Sequence, residues 1–194
     1  MEKEAVLKEY RDAGALLEGH FKLSSGLHSP MYLQCARVLM DPKRAARLCR
    51  EVADKILAAG HKIDLVVSPA MGGVVVGYEM ARQLDVPSVF TERVDGEFAL
   101  RRGFDIPAGA KILMMEDIIT TGLSSRECIK VIREWGGDVI AAGCLIDRSN
   151  GSADVGAPVY SLLAMDIPIY EADNLPDYLK NIPAIKPGSR GLKA

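Results

Sequence analysis

No two cysteines in the chain have the C-x-x-C spacing, and no cysteine–histidine spacing resembles a zinc site. The four that occur, Cys35, Cys49, Cys128 and Cys144, stand inside largely apolar stretches. They read as small buried hydrophobes of a reducing compartment. An excess of charge of one sign is missing too: 24 lysines and arginines face 26 acids, for a formal net charge of -2 and a pI near 6.0. That excludes a general nucleic-acid binder and a basic membrane surface, so any phosphate must be held by a local arrangement. Long apolar runs are absent. Ile63 to Met71 is interrupted by Asp64 and Ser68 and is far too short to cross a bilayer. Met1 to Tyr10 is charged and polar, without the apolar centre of a signal peptide. A cytoplasmic protein is expected. Neither G-x-x-x-x-G-K-[ST] nor G-x-G-x-x-G occurs, which removes two common phosphate signatures.

What is present is ordinary globular composition, 48% hydrophobic and 26% charged over 194 residues, enough for one substantial core. A helical stripe that includes Val6, Leu7, Tyr10, Ala13 and Leu17 predicts a helix over Glu2 to Glu18, stopped by Gly19. Phe21 to Gln34 reads as loop and short strand. Asp41 and Pro42 open a second helix, with Ala45, Leu48, Val52 and Ile56 on its apolar face, ending at Gly60. Strands over Ile63–Val67, Ser88–Thr91, Lys111–Met115 and Asp138–Ile146 then alternate with helices over Gly73–Leu84 and Ser124–Trp135. That alternation predicts an α/β fold, a parallel sheet of about five strands flanked by helices. Trp135 is expected in the core. Between Glu92 and Ala110 the pattern fails, which predicts a functional or mobile loop. Val159 to Leu163 is strand-like, and prolines follow it. The expected organisation is a single domain over 1–194, with core 37–157 and a small hood from 1–36 and 158–194.

The chemistry is concentrated in Ile112-Leu113-Met114-Met115-Glu116-Asp117-Ile118-Ile119-Thr120-Thr121-Gly122-Leu123-Ser124-Ser125. An apolar strand delivers two acids at its carboxyl end, and a turn of Thr, Thr and Gly then opens a helix. Ligands of open parallel sheets bind just beyond the strands' carboxyl ends. A helix start supplies unpaired N–H groups, so this segment suits a phosphate monoester. The acids cannot bind phosphate; they suit sugar hydroxyls or an indirectly held magnesium ion. Capping alone would explain the Thr and Ser residues but not the paired acids.

This segment resembles the phosphoribosyl pyrophosphate motif of the type I phosphoribosyltransferases. Over nearly the whole chain the resemblance is to the orotate-using branch of that family. Phe21 to Pro30 is similar to its substrate loop, Ser68-Pro69-Ala70-Met71-Gly72-Gly73 to its pyrophosphate loop, and Thr91-Glu92-Arg93 to the entry of its catalytic loop. Asp147-Arg148 resembles its base-binding arginine, and Lys186 to Arg190 a C-terminal signature of one bacterial branch. Ser24 and Gly72 stand where many members carry lysine, and the loop from Val94 to Gly103 has only Arg101 and Arg102 as cations.

The resemblance implies transfer of 5-phosphoribosyl from its pyrophosphate to orotate, giving orotidine 5'-monophosphate in pyrimidine (UMP) biosynthesis. Glu116, Asp117, Arg101 and Arg102 would be catalytic. Glu116, Asp117, Ile118, Ile119, Thr120, Thr121, Gly122, Leu123, Ser124, Arg93, Gly72 and Gly73 would hold phosphoribosyl pyrophosphate. Thr120, Arg148, Tyr32, Ser25 and Gly26 would hold orotate. Mg²⁺ would bridge pyrophosphate and ribose hydroxyls and keep several waters, with no all-protein metal cage. A homodimer is implied, with the 92–104 loop serving the neighbouring site, and neither nucleic acid nor membrane is an expected partner. Arg148 has a structural alternative, an ion pair with Asp147; the functional reading is a forked donor to a carboxylate. His28 is open between a satisfied loop histidine and a ligand. Two other functions compete: a purine phosphoribosyltransferase, which needs no arginine for a base carboxylate, and a non-catalytic regulator that senses the activated sugar.

Overall fold

The computed structural model describes residues 1–23 and 26–186. Helix α1 (Lys3–Asp12) leads into an antiparallel ribbon of β1 (Leu16–Lys22) and β2 (His28–Leu33), then the short helix α2 (Cys35–Leu39). There follow α3 (Pro42–Ala58), β3 (Leu65–Pro69), α4 (Gly73–Leu84), β4 (Ser88–Val94), β5 (Glu97–Leu100) and β6 (Lys111–Ile119). The chain continues through α5 (Leu123–Glu134), β7 (Asp138–Asp147), β8 (Val159–Ala164) and α6 (Asp177–Lys180). The main sheet has six strands in the order β5-β4-β3-β6-β7-β8. β4, β3, β6, β7 and β8 are parallel, and only β5 runs antiparallel, on the β4 edge. The expected five-stranded parallel sheet is therefore present, with one added strand.

The α3 helix starts as its sequence dictates: the Asp41 carboxylate accepts from the Lys43 and Arg44 N–H groups at 2.9 and 3.3 Å, and Pro42 fills the first turn. Its apolar face, including Leu48, Val52 and Ile56, is fully buried. The central strand β6 is covered on both faces, so it reads as a continuous apolar run. Leu113 and Met115 pack in the cluster holding Val52, Val76 and Met80 of α3 and α4. Ile112 and Met114 pack in the other cluster, with Cys128, Ile129 and Ile132 of α5. Each such burial contributes roughly 1.5–3 kcal/mol.

Several boundaries differ from the sequence reading. The first helix ends at Asp12, not Glu18, because the N–H groups of Gly14 and Ala15 turn back to the Arg11 and Tyr10 carbonyls at 2.8 Å. Leu16 onward pairs with β2 instead, in register Leu16 with Leu33. The strand over 159–164, assigned by sequence to the hood, pairs with β7 and belongs to the main sheet. The 92–110 segment is not a plain loop. β4 runs on to Val94, and Asp95-Gly96, both at positive φ (52° and 93°), turn it into β5 as a two-residue hairpin. Trp135, expected in the core, caps the end of α5 and is 44% exposed. The β1–β2 ribbon meets the C-terminal segment through bridges of Phe21 with Ile185 and His28 with Tyr170.

Candidate active site

The carboxyl ends of β3, β6 and β7 converge where the sheet delivers its loops. After β6, Gly122 adopts φ +74° as the residue preceding α5. The first N–H with a helical acceptor is that of Arg126, which donates to the Gly122 carbonyl at 2.9 Å. Leu123 N–H reaches only the Thr121 hydroxyl, at 3.4 Å. The N–H groups of Gly122, Ser124 and Ser125 donate to no acceptor among the described residues. These form an anion cradle at the positive end of a helix dipole.

β6 extends through both acids to Ile119, and strand alternation sends their side chains to opposite faces of the sheet. Glu116 lies on the α5 side, 9% exposed, and accepts a short hydrogen bond from the Ser125 hydroxyl. Burial raises its pKa to about 7, the Asp117 charge adds to the rise, and the Ser125 bond opposes it. Asp117 lies on the α4 side. Burial raises its pKa, while the Ile118 N–H holds it back at 2.9 Å. A Cβ on Gly72 would sit 3.2 Å from both Asp117 carboxylate oxygens and would crowd them, so the glycine leaves this carboxylate open. Gly73 is instead a packing glycine, since its Cβ would meet Ser68 and Pro69 at 3.1 Å. Among the described residues no three His, Cys, Asp or Glu side chains converge as metal ligands.

The raised Glu116 pKa has a thermodynamic consequence. The folded state binds this proton more tightly than the unfolded chain, so the group's contribution to stability falls as pH rises from about 4.5 to about 7. Above that window the full desolvation cost is present. Glu116→Gln keeps an acceptor for Ser125 and removes the cost. Its melting temperature should exceed the parent's at pH 8 and match it at pH 4. A gain equal at both pH values would refute this account.

A cleft of about 690 Å³ opens beside the cradle, lined by Leu23, Leu27, Tyr32, Thr120, Thr121, Arg148 and the segment Asp166 to Ile169. Arg148 hangs from the end of β7, its N–H bonded to the Ile119 carbonyl at 2.8 Å. Its Nε is buried without a hydrogen-bond partner, and burial lowers its pKa. Asp147 is not its ion-pair partner. That carboxylate accepts from Ser149 N and Oγ at 2.8 and 2.6 Å and from Gly151 N at 2.8 Å, fixing the loop after β7. Tyr32 is half-buried beside Phe21, ring centroids 5.9 Å apart.

Cradle, acids, Gly72, Gly73, Thr120, Tyr32 and Arg148 thus come together around one end of the sheet. The hairpin cations do not present free charge there. Arg93 pairs with Glu127 of α5 and lies over the Phe98 ring at 4.2 Å. Arg102 pairs with Glu92 at 2.9 Å, and Arg101 approaches the same carboxylate at 4.0 Å. His28 is satisfied: its Nδ1 meets His20 Nε2 at 2.6 Å, while His20 Nδ1 donates to the Ile182 carbonyl at 2.7 Å. Gly26 has φ +91° in the β1–β2 loop. Ser24, Ser25 and the 187–190 part of the C-terminal signature lie outside the described residues. Sequence reasoning gave Ser125 no separate role, read Asp147 only as a possible ion-pair partner of Arg148, and passed over Arg126 and Asp166. Only Ser125 had a visible signal, its place in the first turn after the acids.

A parallel sheet with an acid-bearing central strand, a glycine-opened anion cradle and a glycine facing the acid defines a phosphoribosyltransferase. Residues 39–174 match the phosphoribosyl transferase domain family. The chain is 58% identical over 193 residues to the orotate phosphoribosyltransferase of Phenylobacterium zucineum, covering all of both chains. It is 59% identical over 196 residues to that of Rhizorhabdus wittichii, again over both full lengths. The solved orotate phosphoribosyltransferase from Aeropyrum pernix superposes with a TM-score of 0.70 at 28% identity, covering 82% of this chain and 93% of that one. The chain belongs to the phosphoribosyltransferase family and, within it, to the orotate phosphoribosyltransferases.

Proposed function

We propose that this protein transfers the 5-phosphoribosyl group of phosphoribosyl pyrophosphate to a ring nitrogen of orotate, releasing pyrophosphate and forming orotidine 5'-monophosphate for UMP synthesis. The carrying observation is the half-buried Arg148, whose Nε is buried and unbonded and which has no acid partner among the described residues, in the same cleft as Thr120 and Thr121 of the anion cradle. A planar guanidinium is the natural fork for a base carboxylate, which uracil and the purines lack. In this reading the cradle from Ile118 to Ser124 holds the 5-phosphate and Asp117 faces the ribose, where positive charge develops. Gly72 and Gly73 lie against pyrophosphate, and Tyr32 and the Ser25–Gly26 loop cover the base. Glu116 serves the ribose side from the α5 face, where its carboxyl also pins Ser125.

The acids on opposite faces suit a magnesium ion held mainly by substrate oxygens and water, near Asp117, and not a chelate of the pair. Such an ion would neutralise charge on the departing pyrophosphate.

The organisation we propose is a single domain over 1–194 with the hood of terminal segments, in the cytoplasm, as a homodimer. The four free cysteines fit a reducing compartment. Met71 in the turn before α4, and Val75 and Tyr78 on α4, are exposed at 83%, 52% and 69%, apolar residues that suit a second copy. The 92–104 hairpin would then carry Arg93, Arg101 and Arg102 toward the neighbouring pyrophosphate, exchanging Glu127 and Glu92 for it. Sedimentation equilibrium at the mass of one chain would refute the dimer.

The activity is tested by offering orotate, uracil, hypoxanthine, xanthine and adenine separately with phosphoribosyl pyrophosphate and Mg²⁺. Only orotate should be consumed. A comparable rate with any purine would overturn the reading.

A further inference from the structure

We infer that Arg126 is a positioning residue that shapes and polarises the 5-phosphate cradle, and that it locks the cradle to the loop following Arg148. This rests on the reading of the 118–124 turn as a phosphate site. One guanidinium nitrogen, Nη1, donates to two backbone carbonyls: Thr121 O at 2.9 Å and Asp154 O at 2.8 Å. Among the described residues Arg126 has no acidic partner, so its charge is directed at these carbonyls.

The Thr121–Gly122 peptide is trans, so its N–H points opposite to its C=O. With the carbonyl directed at Arg126, the Gly122 N–H is turned away from the guanidinium, and it has no acceptor among the described residues. A cation on the carbonyl end strengthens the N–H as a donor, because hydrogen bonds in a chain polarise one another. Arg126 thus acts on a phosphate through the peptide without needing to touch it.

The geometry leaves little slack. A Cβ on Gly122 would meet Val155 Cγ1 at 2.8 Å and Arg126 Nη1 at 3.1 Å. The second anchor is equally fixed: the 149–157 loop is held by Asp147 at its start, and Arg133 donates to the Gly156 carbonyl at 2.7 Å near its end. That loop begins immediately after Arg148. Arg126 therefore joins the turn after β6, which in this reading holds the 5-phosphate, to the loop that follows Arg148.

The test compares two ligands by calorimetry at constant Mg²⁺: ribose 5-phosphate, which needs the cradle, and pyrophosphate, which does not. Arg126→Gln should weaken ribose 5-phosphate about tenfold, roughly 1.4 kcal/mol, and leave pyrophosphate within twofold. The KM for phosphoribosyl pyrophosphate should rise more than the KM for orotate. Arg126→Lys, which keeps the charge but lacks the planar fork, should recover part of the loss, and it carries the test if the glutamine variant fails to fold. Equal weakening of both ligands, or of neither, would overturn the inference. A Thr121→Ala/Ser124→Ala double variant separates the two levels. If it weakens ribose 5-phosphate while Arg126→Gln does not, only the role of Arg126 falls. If the parent itself binds ribose 5-phosphate no more tightly than ribose, the cradle reading, which rests on backbone N–H groups, falls with it.

Discussion

Asp117→Asn should lower kcat by about two to three orders of magnitude, as expected when one preorganised group facing a developing charge is neutralised, with the melting temperature at or above that of the parent. The first half follows from position. Asp117 is the carboxylate on the α4 side of β6, opposite the glycine whose missing side chain leaves it open. Among the described residues its carboxylate accepts from the Ile118 N–H, which leaves lone pairs for ribose hydroxyls and for the positive charge that grows on the sugar as pyrophosphate leaves. Asparagine has the same shape but no charge. The second half follows from the raised pKa, caused by burial. Holding this carboxylate ionised costs stability at neutral pH, because the unfolded chain ionises it more readily. Removing the charge relieves that cost. For the same reason the parent's kcat should fall on the acid side at a higher pH than a free aspartate would give. Steady-state kinetics with a melting curve check both halves. Near-normal turnover, or lost turnover accompanied by a lower melting temperature, would place Asp117 in the fold and not in the chemistry.

The parts of the site written in local sequence were readable. Asp41-Pro42 starts α3, and the apolar spacing of Leu48, Val52 and Ile56 fixes its buried face, because both signals act within a few residues. Thr-Thr-Gly before an amphipathic helix gives the cradle for the same reason. The split of the acid pair depends on where β6 ends. A strand stopping at Met115 leaves Glu116 and Asp117 in a turn with no assignable face, whereas pairing with β7 carries the alternation through both. That pairing, Glu116 beside Cys144 and Ile118 beside Ile146, is long-range and has no local mark.

The hairpin at 92–104 shows the opposite failure. Its Asp95-Gly96 turn is a strong local signal, but charged residues on an edge ribbon hid the two-residue period. The partners Arg93–Glu127 and Arg102–Glu92 were equally out of sight, since cross-strand and strand-to-helix ion pairs follow from register. The two carbonyls bound by Arg126 belong to loops 28 residues apart on one side and five on the other, so nothing near Arg126 in sequence announces them.

Arg148→Ala should raise the KM for orotate far more than that for phosphoribosyl pyrophosphate. The backbone that carries the side chain is held in place independently of any ligand: the Arg148 N–H is fixed on the Ile119 carbonyl, and the loop behind it is anchored by Asp147. Its Nε is buried and unbonded, and burial lowers its pKa, so the protein bears a partly desolvated cation without a counter-charge among the described residues. A cation left in that state is stabilised when an anion arrives, and a substrate carboxylate supplies one. Truncating one partner of such a pair costs about 2–5 kcal/mol, a factor of roughly 30 to several thousand in affinity. Arg148→Lys should remain impaired, because a point charge cannot reproduce the planar fork. The variant should also narrow the preference for orotate over uracil, since uracil has no carboxylate to lose. Stability is expected to hold or improve, the uncompensated charge being gone. Equal damage to both substrates, or a large fall in melting temperature, would show that Arg148 serves the fold instead of recognising the base.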